Sequence, residues 1–503
     1  MLLTAANYQD LTSYDRNKMT GHSLDWSNKP ISFKTYQGLK NIKLLEETER
    51  PQQNLSDLFT YNQPEQANNS VNLENLSRIL RLSHCLTRKE KFGGGYFYFR
   101  NVASAGALYP FETYVEAFQV ENLEQGLYHH SVADQSITQL RIGDCSELVS
   151  SAINFRSSDN PVVVFFLSAI FFRSSWKYRD RAFRYHLLDT GHLSENLLLA
   201  LKCHELKFEI SYDFNDEKVN EFIGIDTKRE ACLATIGVFS TEAGPNITDK
   251  AQEFSSVDLK QFSRCAAQET RYAVINEILS LTSKKKEYQD ENLDKKGIQC
   301  ASSIGEAVKP IPFDNTPELM TYSQAILQRR SRRNFIRKPI SGATFSWLLN
   351  LLREGDKTGR RIKWQDFLSI GVLIADVQGI DPGFYSFEST NRELRLVRPG
   401  FLMEEMAHIC LDQAWLSNCS SHFLFMSDLV AVEHRLGPRA YRYAMIEAGR
   451  MGQRLYLAAE SIKFGCCGIG AFYDQEARQF LNLSPGAHLL YLVGLGPLTN
   501  AFV

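Results

Sequence analysis

Three short stretches of this sequence carry side chains that could do chemistry. Arg329-Arg330-Ser331-Arg332-Arg333 sets four guanidiniums around one hydroxyl. Arginine keeps its charge at any working pH and makes charge-assisted bonds about twice as strong as neutral ones, so this spacing makes an anion site. Gly465-Cys466-Cys467-Gly468-Ile469-Gly470-Ala471 follows a helical pattern, and its glycines would let backbone N–H groups approach a flat ring or a charge. Lys177-Tyr178 puts an ammonium beside a phenol, which favours the phenolate and draws the tyrosine towards use as a base. Each has a plainer alternative: a solvated basic face, a tight turn, an ordinary structural pair.

The elements that must position these groups come in two copies. Residues 181 to 201, RAFRYHLLDTGHLSENLLLAL, match 439 to 459, RAYRYAMIEAGRMGQRLYLAA, without a gap. The same offset carries Phe214, Asp216 and Phe222 onto Phe472, Asp474 and Phe480. Upstream, Gly126-Leu127-Tyr128 echoes Gly383-Phe384-Tyr385, each inside a strand–turn–strand pattern with period-2 alternation. The matched segments then run into apolar positions at helical spacing. Each half therefore mixes helices with a sheet, one over residues 70–243 and the other over 315–503. Residues 1–69 form a front segment and 244–314 a linker, with the charge run Lys284-Lys285-Lys286 and one helix at Ala273 to Leu281. A chain built from two copies of one domain can be its own dimer.

What the halves do not share is more telling. The arginine cluster and the glycine run belong to the second half; the first reads KFEISYD (Lys207 to Asp213) where the glycines stand. The first half instead has RNVASAGALYP (Arg100 to Pro110), small residues ahead of a Leu-Tyr-Pro wall, and the Lys177-Tyr178 pair.

Composition narrows the field. At 503 residues the chain is long enough for two or three domains. Its 56 Lys and Arg against 58 Asp and Glu give a net charge of −2, which points to no nucleic-acid or anionic-membrane partner. The longest apolar run, Pro161 to Phe172, falls short of the roughly 18 residues of a spanning helix and reads as a buried strand. The N-terminus lacks the pattern of a signal peptide, so a cytoplasmic location is expected. Ten scattered cysteines without CxxC spacing, and no HExxH, indicate neither a metal site nor a disulfide framework. Neither GxGxxG between strand and helix nor GxxxxGK[ST] occurs, which sets aside Rossmann dehydrogenases and P-loop enzymes.

In order and spacing, these motifs resemble the FMN-dependent nitroreductase superfamily, and within it the SagB-type dehydrogenases that include azoline oxidases of peptide pathways. NYQDLTSY and LDWSNKPISFKTY (residues 7–14 and 24–36) are similar to that group's N-terminal segment. SAGALYP (Ser104 to Pro110) and KYRDRAFRYHLLDTGH (Lys177 to His192) are similar to its most specific motifs, AILQRRSRRNF (Ala325 to Phe335) to the helix end that opens a nitroreductase domain, and GIGAF (Gly468 to Phe472) to its flavin-edge loop.

The resemblance implies an α+β fold: two tandem nitroreductase-like sandwich domains forming an internal pseudo-dimer, with FMN at their interface. Arg329, Arg330, Ser331 and Arg333 would grip FMN together with Gly468, Ile469, Gly470 and Ala471. Ser104, Ala105, Gly106, Leu108 and Tyr109 would face it from the first half, and Gln413 would touch the ring. The C-terminus, GLGPLTNAFV, lacks the Lys or Arg that many nitroreductases use on the phosphate, leaving the cluster to do more, with Arg439 or Arg442 as candidate helpers. Only one FMN per chain is expected. Lys177 and Tyr178 match the azoline oxidases' substrate-directed pair, so Tyr178, poised by Lys177, would take a ring-carbon proton while a hydride passes to the flavin. The expected partners are a peptide or small-molecule substrate and biosynthetic enzymes, with further homodimerisation left open. Two other readings stand: an NAD(P)H-dependent nitro- or quinone reductase, and a degenerate member that binds a peptide or partner without turnover.

Overall fold

The computed structural model describes residues 3–19, 21, 23–45, 50–61, 70–92, 95–157, 160–240, 253–254, 257–283, 297–304, 307–309, 312, 316–353 and 363–499. Lys284 to Lys286, Gly93 and Gly94 lie outside them.

Two seven-stranded antiparallel sheets repeat one topology. In spatial order the first runs Asn41–Lys43, Ser136–Gln139, Gly126–Ser131, Phe111–Ala117, Pro161–Ile170, Glu230–Phe239 and Lys207–Ser211. The second runs Ala307–Val308, Glu393–Pro399, Gly383–Glu388, Ser369–Ile374, Ser421–Asp428, Ala487–Gly496 and Gly465–Ile469. The apolar run is the first sheet's inner strand, but it ends at Ile170. Phe171 and Phe172 instead open the helix Phe171–Tyr178, whose last turn carries Lys177 and Tyr178. Arg179, with φ of +50°, stops that helix and turns the chain into the next.

The two repeated segments are the helices Ala182–Cys203 and Ala440–Ser461, buried on almost every side. They cross where the repeat places glycines. A Cβ on Gly191 would lie 2.1 Å from the Ile446 carbonyl, and one on Gly449 2.1 Å from the Leu188 carbonyl. Only glycine allows that approach, and the pseudo-twofold axis passes between the pair.

Each half also grips the other through an aspartate largely hidden from solvent. Arg181 and Arg184 reach Asp474 at 2.7 and 2.6 Å, while Arg439 and Arg442 hold Asp216 in the same way. Arg439 and Arg442 thus serve a structural clamp on Asp216.

A pair of helices completes the symmetry. Arg184 donates to the Thr12 hydroxyl, beside the helix Ala5–Leu11, at 2.9 Å; Arg442 donates to the Thr282 hydroxyl, in the helix Ala273–Ser283, also at 2.9 Å. The helix expected within the linker is therefore a packed counterpart of the N-terminal one. Among the described residues no helix is long and apolar enough to cross a membrane.

Candidate active site

The segment after the helix Tyr322–Gln328 is extended because Arg329 leaves helical geometry at φ −46°, ψ 128°. The Arg332 amide donates to the Cys466 carbonyl at 3.0 Å, which seats the arginine segment beside the edge strand Gly465–Ile469. Tyr456, from the second-half helix, ties them together. Its hydroxyl bonds Ser331 Oγ at 2.9 Å and accepts from the Gly468 amide at 2.8 Å.

A cleft opens between the halves at this point. From the first half it is lined by Ala103, Ser104, Ala105 and Gly106, by Tyr178, and by Tyr185, Leu188, Asp189 and His192 of the long helix. From the second half come Ser331, Arg333, Gln413, Tyr456, Cys467, the run Gly468 to Ala471, and Tyr491.

Most of the residues singled out from sequence thus line one cleft. Five do not. Arg329 is buried, donating to the Asn101 and Arg100 carbonyls at 2.8 and 2.9 Å, so it straps the arginine segment to the strand that leads into the small-residue loop. Its Nη1 has no partner among the described residues. Arg330 turns back to the Arg329 carbonyl at 2.7 Å and lies over the Phe99 ring. Leu108 packs against the buried cluster of Ile170, Phe172, Trp176 and Cys265, and Tyr109 is buried with its hydroxyl accepting from the Arg100 amide at 3.2 Å. Lys177 stands at the edge: a Cβ on Gly106 would lie 2.8 Å from the Tyr178 hydroxyl and 3.3 Å from Lys177 Nζ.

The glycines serve packing inside this wall. A Cβ on Gly468 would fall 1.8 Å from the Tyr491 hydroxyl, and one on Gly470 2.6 Å from the Tyr185 ring. The Gly470 carbonyl accepts from Arg181 at 2.8 Å and from the Tyr185 hydroxyl at 3.1 Å. Any larger residue would fill the cleft with either its own side chain or a displaced tyrosine. Gln413 reaches the wall from a tight turn in which Leu411 and Asp412 have φ of +58° and +56°.

The electrostatics correct one expectation. Burial, reinforced by Tyr14 and Asp189, pushes the Tyr178 phenol well above its ordinary range, and Arg333 is the cation that opposes the rise. Lys177 moves the other way: burial and then Arg333 lower its ammonium. Desolvation disfavours the charged form of both groups and is the largest influence on each. The phenol is therefore a neutral donor, and the amine is the member closer to a base. Burial lowers His192 to about 3, leaving it neutral between Gln453 Oε1 at 2.8 Å and the Tyr491 hydroxyl at 3.0 Å.

Sequence reading missed Tyr185, Leu188, Asp189, His192, Tyr456, Cys467 and Tyr491. The repeat held a signal for several of them: Asp189 faces Glu447, His192 faces Arg450 and Tyr456 faces Leu198, so the cleft shows where the copies differ in size or charge.

A model of the nitroreductase family matches residues 66–238 and 390–497, more than half of the chain. A protein of Methanocaldococcus jannaschii named as a nitroreductase is 26% identical over 182 residues, 35% of this chain and 92% of its own length. The trifolitoxin-processing protein TfxB of Rhizobium leguminosarum bv. trifolii is 28% identical over 147 residues, which is 28% of this chain and 39% of that protein. A crystal structure from Anabaena variabilis, described as a nitroreductase, superposes with a TM-score of 0.76 over 99% of this chain and 100% of its own, at 23% identity, and so shares the fold.

Proposed function

The chain belongs to the nitroreductase family, whose members are flavin-dependent oxidoreductases, and from that premise we propose that it is an FMN-dependent oxidase of azoline rings in a peptide substrate. The observation that carries this reading is the convergence of Tyr178, with Lys177 at the edge, the small-residue loop, Ser331, Arg333 and the glycine run on one cleft between the halves. The residues present fit FMN. Ser331 and the exposed Arg333 stand at the cleft mouth, the buried Arg329 behind them has a nitrogen without a partner among the described residues, and the glycine run keeps side chains out of the space. These would hold the phosphate and the ring edge, with Ser104 to Gly106 and Gln413 as the facing wall.

When bound, FMN supplies the two-electron acceptor for the hydride that ring oxidation releases. The chain's part is to orient the ring and take the proton. Lys177, with its lowered ammonium, accepts the proton from the ring carbon, and Tyr178 donates a hydrogen bond that fixes the ring against the cleft wall. The relative named as a trifolitoxin-processing protein supports a peptide as substrate.

Purified protein should release one flavin per chain. Lys177→Ala should keep that flavin and lose azoline oxidation by about 100-fold, within the usual range for a general base, while Tyr178→Phe loses less. Full turnover of both flavin-loaded variants would overturn the assignment. Rapid bleaching of the bound flavin by NADPH in stopped-flow mixing would instead favour a reductase.

A further inference from the structure

Asp189 is a buried carboxyl in the wall of a cleft, and the catalytic scheme above makes no use of it. It accepts from Ser104 Oγ at 2.6 Å and from the Ala105 amide at 3.1 Å, while Ser104 Oγ accepts in turn from the Tyr109 amide at 2.9 Å. Between those anchors the loop is held in an unfavourable shape, with Gly106, Ala107 and Tyr109 at φ of +62°, +52° and +47°. Left-handed backbone at two non-glycine residues persists only when surrounding bonds enforce it. The part so enforced is the part that faces the Tyr178 hydroxyl and Lys177 Nζ.

We propose that Asp189 is a positioning residue: through Ser104 and Ala105 it latches the 104–109 loop in its left-handed conformation, setting the width of the cleft opposite Lys177 and Tyr178. The latch rests on the flavin reading only for its effect on FMN binding; the loop geometry stands by itself.

A second feature gives the latch a pH dependence. Burial lifts the Asp189 carboxyl to about 7, against the hydrogen bonds from Ser104 and Ala105 that pull it down. The titratable groups that line the cleft with it are Tyr185 and His192 on its own helix and Tyr178, Arg333, Tyr456, Cys467 and Tyr491 from other elements, and among the described residues no ion pair reaches it. The ionised carboxylate accepts from both donors at once. Protonation places an O–H on one oxygen, which then competes with a donor and loosens the loop.

Hydrogen–deuterium exchange of the peptide spanning residues 101–110 tests this in the full chain. Asp189→Asn should raise its exchange, corrected for intrinsic rate, about tenfold at pH 8, with the helix Ala440–Ser461 unchanged as an internal control. In wild type the same peptide should gain exchange between pH 8 and pH 6, and the variant should not. Ser104→Ala, which removes half of the latch without altering the buried charge, should give an intermediate rise, and Ser104→Thr should restore protection. Affinity for added FMN, followed by quenching of its fluorescence, should fall in the same order. Wild-type exchange and a wild-type pH response in both Asp189→Asn and Ser104→Ala would overturn the latch. Failure of wild-type protein to bind FMN would defeat the flavin reading and leave the exchange result to decide the latch.

Discussion

The pseudo-twofold axis gives this molecule two copies of one interface, and one of them opens into the cleft while its counterpart is bridged by side chains. On the open side Tyr185, Leu188, Asp189 and His192 face the run Gly468 to Ala471. On the other, Tyr443, Ile446, Glu447 and Arg450 face Ile210 to Asp213, and side chains bond one another across the gap. Tyr212, aligned with Gly470, stacks on Tyr443 at 6.0 Å and its hydroxyl reaches Glu447 at 3.2 Å. Arg450, aligned with His192, pairs with Glu447 at 2.6 Å and Glu195 at 2.9 Å, and Arg454 adds a second arm to Glu195 at 2.7 Å. Where the open side has the turn Ala105–Ala107 before its strand, the filled side has Trp364–Asp366 and then Phe367, which packs against Tyr443 at 5.9 Å. One backbone can thus make a binding cleft or a sealed joint, decided by volume and charge at a handful of aligned positions.

The features common to both sides should be the most costly to remove. Asp216→Ala and Asp474→Ala each leave two buried arginines without their carboxylate, a loss of about 3–5 kcal/mol. Urea unfolding should show the two variants destabilised alike, since the clamps are equivalent. A silent result for either one would break the symmetry. Smaller is the effect of making the open side resemble the filled one. Gly470→Tyr copies Tyr212, and its Cβ already falls 2.6 Å from the Tyr185 ring. Flavin affinity should drop roughly 100-fold, equivalent to about 2.7 kcal/mol, while the fold survives because the same residue is tolerated at the sister position. Unchanged flavin content in that variant would remove the glycine run from the site.

The shared architecture was readable in the sequence because the repeat exposes it directly: RAFRY against RAYRY, Asp216 against Asp474, and glycines 191 and 449 at one offset mark the crossing helices and their clamps. The open cleft was half readable. Residues whose type is unusual, such as Ser331, Arg333 and the glycines, stood out. Tyr185, Tyr456 and Tyr491 did not, since a tyrosine in an apolar run looks like core until its hydroxyl is seen bonding into the cleft wall. Partnering was not readable at all. Arg329 has the same side chain as Arg333, but carbonyls brought in by the other half take up most of its donors. The direction of the Tyr178 shift was misjudged for the same reason: adjacency to Lys177 is local and visible in sequence, whereas burial depends on the partner half.

The finest distinction between the two sides lies in their buried carboxyls, and pH separates them. On the filled side, Arg454 and Arg450 overcome the burial that would raise Glu195 and hold it at about 2. Its folded value is below the roughly 4.3 of an unfolded glutamate, so its stabilisation is complete above that value and lost as pH falls towards 2. On the open side, burial without a paired cation raises Asp189 to about 7, above the roughly 3.9 of the unfolded chain. Here the folded state binds the proton more tightly, so stability falls as pH rises from about 4 to about 7. Asp189→Asn has no such cost to accumulate. Relative to wild type its stability should therefore climb by about 1 kcal/mol between pH 6 and pH 7, since a one-unit displacement is worth about 1.4 kcal/mol and the group is half ionised at the end of the interval. Calorimetry at pH 5, 6, 7 and 8 reads this as a Tm difference that widens and then levels. Parallel curves would mean that the Asp189 carboxyl is not held away from charge compensation, and the open side would then differ from the filled one in volume alone.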